Sequence, residues 1–160
     1  MLFRSSAAAV VQLLPLLGDA DAEMRTQAAR TLGDARATQA FDGLVKLLRD
    51  PSLRVQMFAA QSLGKLARTD AGAPIFAMLA ADATRDAYLR HAGVMALARL
   101  GDTNAVLTAA TNASSAVRMA SLLVLRRWEQ PAVAQFLADR DPLLVTEAAI
   151  AINEIGRAHV

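Results

Sequence analysis

Two histidines, His91 and His159, and no cysteine stand in 160 residues. A lone imidazole cannot hold a metal ion, and no second histidine, cysteine or carboxylate cluster lies at ligand spacing from His91. The hydroxyls of Thr103-Asn104 and Ser114-Ser115 belong to turn-forming pairs. No nucleophile elbow, phosphate-binding loop or dinucleotide fingerprint accompanies them. The chain is therefore expected to be non-catalytic, with no metal and no cofactor of its own. His91 is expected at the surface or core edge with a satisfied hydrogen bond.

The cations come next. Seventeen Lys and Arg oppose fifteen Asp and Glu, for a net charge of +2. The pI near 9.7 mostly reflects arginines that do not titrate in the ordinary range. They are spread along the chain, whereas phosphate binding wants them clustered, so nucleic acid is not the expected partner. Arg126-Arg127 is the one adjacent pair, and Trp128 follows it. That trio could stack a base or hold a phosphate, but a tryptophan closing a helix against its neighbour explains it more simply. No window approaches the roughly 18 apolar residues that a membrane span needs.

Such sparse chemistry has to be positioned by something, and the composition says what. The chain is 54% hydrophobic and only 4% aromatic, and 36 of its residues are alanine. Abundant Ala, Leu, Arg and Met predict helix throughout. An apolar pair, a gap and a second pair recur at Leu13-Leu14-x-Leu16-Leu17, Leu44-Val45-x-Leu47-Leu48, Ile75-Phe76-x-Met78-Leu79, Val106-Leu107-x-Ala109-Ala110 and Val133-Ala134-x-Phe136-Leu137. Each marks the core face of a short helix. A second pattern follows each, anchored on Met24, Val55, Leu89, Val117 and Val145. Four residues past the anchors stand Ala28, Ala59, Gly93, Ser121 and Ala149, and eight past stand Leu32, Leu63, Leu97 and Leu125. A small residue inside an apolar stripe lets neighbouring helices approach closely. Asp, Asn, Ser and Pro between the two helices of a unit predict turns and N-caps. Gly33, Gly64 and Gly101 fall where a left-handed residue would close the second helices.

The prediction is an all-α, right-handed solenoid of five antiparallel helix pairs, with repeats at about 6–37, 38–69, 70–102, 103–130 and 131–153. One position past the anchors stand Arg25, Arg90 and Arg118, which are expected to form a structural ladder to turn acids of adjacent units. Opposite the core, Met57, His91, Met95, Met119 and Leu123 would align across three units on the concave surface. Ordinary helix packing competes with docking as the reason for that stripe. If it docks anything, the partner is a protein or an adjacent domain of the same chain.

The phrases MRTQAARTLG, VQMFAAQSLG and LRHAGVMALA resemble the second helix of short bacterial HEAT repeats, across residues 7–153. That resemblance implies a stack of helix pairs serving as scaffold or connector. HEAT-like enzymes that hold iron through repeated His-Glu pairs are not matched. More narrowly, YLRHAGVMALARLGD, SSAVRMASLLVLRRW and FLADRDPLLVTEAAIAIN resemble the HEAT segment of large bacterial c-type cytochrome dehydrogenases. That would make the parent a periplasmic or envelope redox protein, although no CxxCH haem motif stands in these residues.

Both ends have a separate explanation. MLFRS can be encoded by GTG CTC TTC CGA TCT, and EIGRAHV by a string containing its reverse complement. Both resemble a sequencing-library adapter. Residues 1–5 and 154–160 are accordingly expected to be translated adapter, and residues 6–153 a fragment of a larger protein. The compartment is then not readable from the ends.

Overall fold

A computed structural model of the chain describes residues 7–82 and 86–158. Among the described residues there are ten helical segments in five pairs, and no strand. The first helices are α1 (Ala7–Leu13, continued by a 3₁₀ segment, Leu14–Gly18), α3 (Phe41–Leu47), α5 (Gly72–Ala81), α7 (Thr103–Ala109) and a 3₁₀ helix, Pro131–Ala138. The second helices are α2 (Ala22–Asp34), α4 (Leu53–Leu66), α6 (Ala87–Leu100), α8 (Ser115–Arg127) and α9 (Pro142–Ala158). The architecture is an all-α superhelical solenoid.

Short polar side chains set where the second helices begin. Asp19, Asp50, Asn112 and Asp139 each accept the backbone N–H two residues on, at 2.8 to 2.9 Å, which folds the turn ahead of α2, α4, α8 and α9. Asp21, Asp86 and Asp102 then cap α2, α6 and α7 by accepting orphan backbone N–H groups. Leu32, Leu63, Leu97 and Leu125 are buried at the same register of successive helices. Each contributes about 2 kcal/mol from apolar area removed from water.

Glycine does a different job from the one expected at two positions. Gly33 and Gly64 lie inside α2 and α4, and the left-handed residues that follow these helices are Arg36 (φ 50°) and Ala67 (φ 55°). Only Gly101 (φ 70°) closes its helix as predicted. The reason is space. A Cβ on Gly33 would collide with Ser62, and one on Gly64 would lie 2.7 Å from the Cα of Ala96. A non-glycine left-handed residue costs roughly 1–2 kcal/mol. A backbone clash inside the stack costs more, so glycine is used within the stack.

The same pair of positions explains where the stack is tight and where it loosens. At nine past the anchor stand Gly33, Gly64, Ala98 and Arg126, and the two glycines face Ser62 and Ala96 of the next helix. Glycine against serine or alanine brings α2, α4 and α6 together, and the Ser62 hydroxyl donates to the Ala29 carbonyl at 2.8 Å. The α6–α8 and α8–α9 contacts are less extensive, as expected where alanine and arginine replace glycine at this position. The first helices splay, leaving an open groove of about 990 Å³ between α3 and α5. The second helices thus stack more closely than the first helices do, and a stack that is tighter along one side has that side as its inner face.

The last repeat departs from the expected register by one residue. Leu144, Ala148 and Ala151 are buried, while Val145 is half-buried, Ala149 is exposed and Ile150 is 41% exposed. Leu144 stands five residues after Asp139, as Met24 stands after Asp19, Val55 after Asp50 and Val117 after Asn112. The turn therefore fixes the helix phase, because it fixes where the first helical residue falls. Met24 departs in another way: it is 42% exposed.

Candidate functional site: the inner face of the second helices

The residue one past the anchor closes the turn of its own repeat. Arg25 Nη1 donates to the carbonyls of Asp19 and Ala20 at 2.8 and 3.0 Å, and Arg118 Nη1 donates to those of Asn112 and Ala113 at 2.9 and 3.0 Å. Gln56 donates to the Asp50 carbonyl at 2.6 Å. The two arginines also reach the next repeat. Arg25 binds Asp50 through two bonds of 2.7 and 2.9 Å, and Arg118 binds Asp139 with the same pair of distances.

The electrostatics follow the geometry. The Arg118 hydrogen bond holds the Asp139 carboxyl below its ordinary range against the opposing effect of burial, helped by the Asp141 N–H. At Asp50 burial pushes the carboxyl up, but the Arg25 hydrogen bond and the Ser52 N–H outweigh it and the net shift is downward. Both guanidiniums are correspondingly raised by their hydrogen bonds to the carboxylates.

Arg90 does not join this series. Among the described residues it makes no ion pair. Its turn is two residues longer, counting from Asp82, and the next repeat presents Asn112 where a rung would need a carboxylate. The ladder expected through Arg25, Arg90 and Arg118 is therefore two separate rungs. They join repeats one to two and four to five.

On the inner face, Met57, Met95, Met119 and Leu123 are half-buried, and Met57, Met119 and Leu123 pack against the core. His91 is exposed, and among the described residues its side chain makes no hydrogen bond. An open groove of about 540 Å³ between α6 and α8 brings His91, Met95 and Leu123 together with Arg90, Arg126 and Arg127. Met119 lines a smaller neighbouring hollow with Leu79 and Leu144, and Met57 lies one helix away on α4. Trp128 is half-buried against the core, and Arg126 pairs with Glu147 and Glu154. Within the trio 126–128, packing thus takes Trp128 and ion pairs take Arg126, while Arg127 is exposed.

Residues that the sequence pattern missed complete this face. With the phase of α9 corrected, Ile150 takes the position of Met95 and Leu123. One helical turn further on, at ten past the anchor, stand Lys65, Arg99 and Arg127, flanked in the end repeats by Asp34 and Glu154. Counting the last repeat from its turn aspartate, as the first, second and fourth repeats can be counted from theirs, would have exposed both rows. No group of His, Cys, Asp or Glu among the described residues could hold a metal ion, and no described helix is long and apolar enough to cross a membrane.

Tandem helix pairs stacked through small residues, with a continuous inner face, define a helical-repeat protein. Its repeats are of one known kind: the sequence profile of HEAT repeats matches residues 10–98, and the chain belongs to that family. No curated protein matches it by sequence. Similar solved structures include the complex of CpcE and CpcF of phycocyanin lyase from Nostoc sp. PCC7120, with 25% identity and a TM-score of 0.59 over 94% of this chain. The chain spans 65% of the length of that one. The archaeal HEAT-like repeats protein of Thermococcus onnurineus NA1 is 16% identical, with a TM-score of 0.58 over 92% of this chain and 70% of its own. A designed armadillo repeat protein in complex with the peptide (KR)4 is 18% identical, with a TM-score of 0.56 over 93% of this chain and 82% of its own.

Proposed function

We propose that this chain is a non-catalytic protein-binding module whose working surface is the inner face of its second helices. The observation that carries this reading is the recurrence of one register across repeats. Met57 and Met119 share one position with His91, and Met95, Leu123 and Ile150 share the next, so an apolar band crosses four helices. Methionine adapts its shape to a partner at low cost, and a band that is partly open to water gains by being covered. The complexed relatives support the reading at the level of fold, since one is described with a peptide and one with a partner protein. An alternative use of the arginines for nucleic acid has less support, because the cations are spread along the chain and no Trp, Tyr or Phe lines the groove.

The test is a peptide library displayed on phage, selected on the purified chain and on a Met95→Glu/Met119→Glu double variant. Peptides selected on the parent chain are expected to bind the variant at least about tenfold more weakly, by biolayer interferometry. Circular dichroism melts establish that both are folded. Equal binding by two equally folded proteins would discard the inner face as the working surface.

A further inference from the structure

The groove between α6 and α8 is lined by three arginines, Arg90, Arg126 and Arg127, and two carboxylates, Glu129 and Glu154. Glu154 binds Arg126 through two bonds of 2.6 and 2.8 Å, with Glu147 adding a third at 3.1 Å. Two other arginines of the groove, Arg90 and Arg127, make no ion pair among the described residues. Arg99, one turn beyond Met95 on the same face, makes none either. The helix dipole accounts for Arg99 and Arg127, which lie in the last turns of α6 and α8, where the negative end favours a cation. It does not account for Arg90, in the first turns of α6 at the positive end. Arg25 and Arg118, at the equivalent position, are satisfied by turn carbonyls and an aspartate. Arg90 has neither.

Between these cations lies an apolar floor of Val94, Met95 and Leu123. An occupant must therefore supply carboxylates at its edges and apolar side chains at its centre. A polynucleotide fits less well, since no Trp, Tyr or Phe lines the groove to stack a base. We propose that this groove binds an acidic, amphipathic polypeptide segment, with its apolar side chains on Met95 and Leu123 and its carboxylates on Arg90, Arg99 and Arg127. The inference rests on the inner-face reading and adds the chemistry of the partner. Glu154 is then an internal competitor. Its carboxylate occupies Arg126, which an incoming acid would otherwise engage.

The experiment is fluorescence anisotropy with four labelled probes: octapeptides alternating Leu-Glu, Leu-Lys and Ser-Glu, and an oligothymidylate of similar length. The Leu-Glu peptide is expected to bind best. Its affinity should fall steeply between about 50 and 200 mM salt, as screening shortens the reach of the rim charges. Arg127→Glu is expected to weaken it about tenfold and Glu154→Gln to strengthen it about threefold. Both variants change exposed side chains, and their melts show whether they fold. Tighter binding of the Leu-Lys peptide or the oligonucleotide would overturn the proposal, as would failure of all four probes to bind. If library-selected peptides carry no acid and ignore Arg127→Glu, the acidic partner is wrong while the inner face stands. If Leu-Glu binding survives Met95→Glu/Met119→Glu, the inner face itself is wrong.

Discussion

Gly64→Ala is expected to destabilise the chain by about 2–3 kcal/mol, although alanine is the better helix former by about 1 kcal/mol. The new Cβ would stand 2.7 Å from the Cα and 3.0 Å from the Cβ of Ala96. The obstacle is backbone, so no rotamer change relieves it and α4 must move away from α6. That movement loosens the contact on which both helices bury Ala59, Ala60, Ala92 and Ala96. The measurement is the urea midpoint of the variant against the parent chain. Gly156→Ala is the control, because nothing lies within 4 Å of the Cβ it would add in α9. That substitution should be neutral or stabilise by up to about 1 kcal/mol. An unchanged midpoint for Gly64→Ala would mean that the close approach of α4 to α6 contributes nothing. The looseness of α8 against α6 would then need another cause than the residues at these positions.

The repeat architecture was legible in the sequence because its signal is redundant. Leu32, Leu63, Leu97 and Leu125 recur at one register, and each is fully or almost fully buried. Phase was less legible where only one signal was followed. Matching apolar residues placed the last repeat on Val145, since Val145, Ala149 and Ile150 mimic the pattern Val55, Ala59, Ala60. The turn aspartate outweighs the mimicry because Asp139 folds the chain before the helix starts. The glycines misled for a related reason. Gly33 and Gly64 stand near the ends of their helices, where a cap and a packing glycine look alike. Only the neighbouring helix distinguishes them, and one sequence does not show which residue faces Gly64. The inner face was half legible: its methionines follow from periodicity. Its unpaired arginines do not, because whether Arg90 finds a carboxylate depends on Asn112, from the next repeat's turn.

Arg118→Ala is expected to cost about 2–3 kcal/mol at neutral pH, and the loss should shrink as the pH is lowered. The arginine is 5% exposed and Asp139 faces it from the next repeat with a side chain 7% exposed. Removing the guanidinium leaves that carboxylate with the Asp141 N–H and takes a donor from the Asn112 carbonyl, while Arg140 still donates to the Ala113 carbonyl at 2.7 Å. The sign of the pH effect follows from the carboxyl. Asp139 is held below its ordinary range in the fold, chiefly by Arg118. Its ion pair therefore contributes fully above the unfolded value, about pH 4, and is lost as the pH falls through the lower, folded one. In the variant that contribution is absent at every pH. The difference in urea stability between the two proteins should thus be largest near neutrality and narrow progressively from about pH 5 to about pH 2. Arg25→Ala should behave alike but lose less, since the Arg25 side chain is 13% exposed against 6% for Arg118. A gap that stays constant across the range would assign the stabilisation to the Asn112 and Ala113 carbonyls alone. The rung would then be a turn clamp that happens to touch the next repeat. A gap that narrows makes it a joint between repeats four and five, beside the Arg126 pairs with Glu147 and Glu154 that also link α8 to α9.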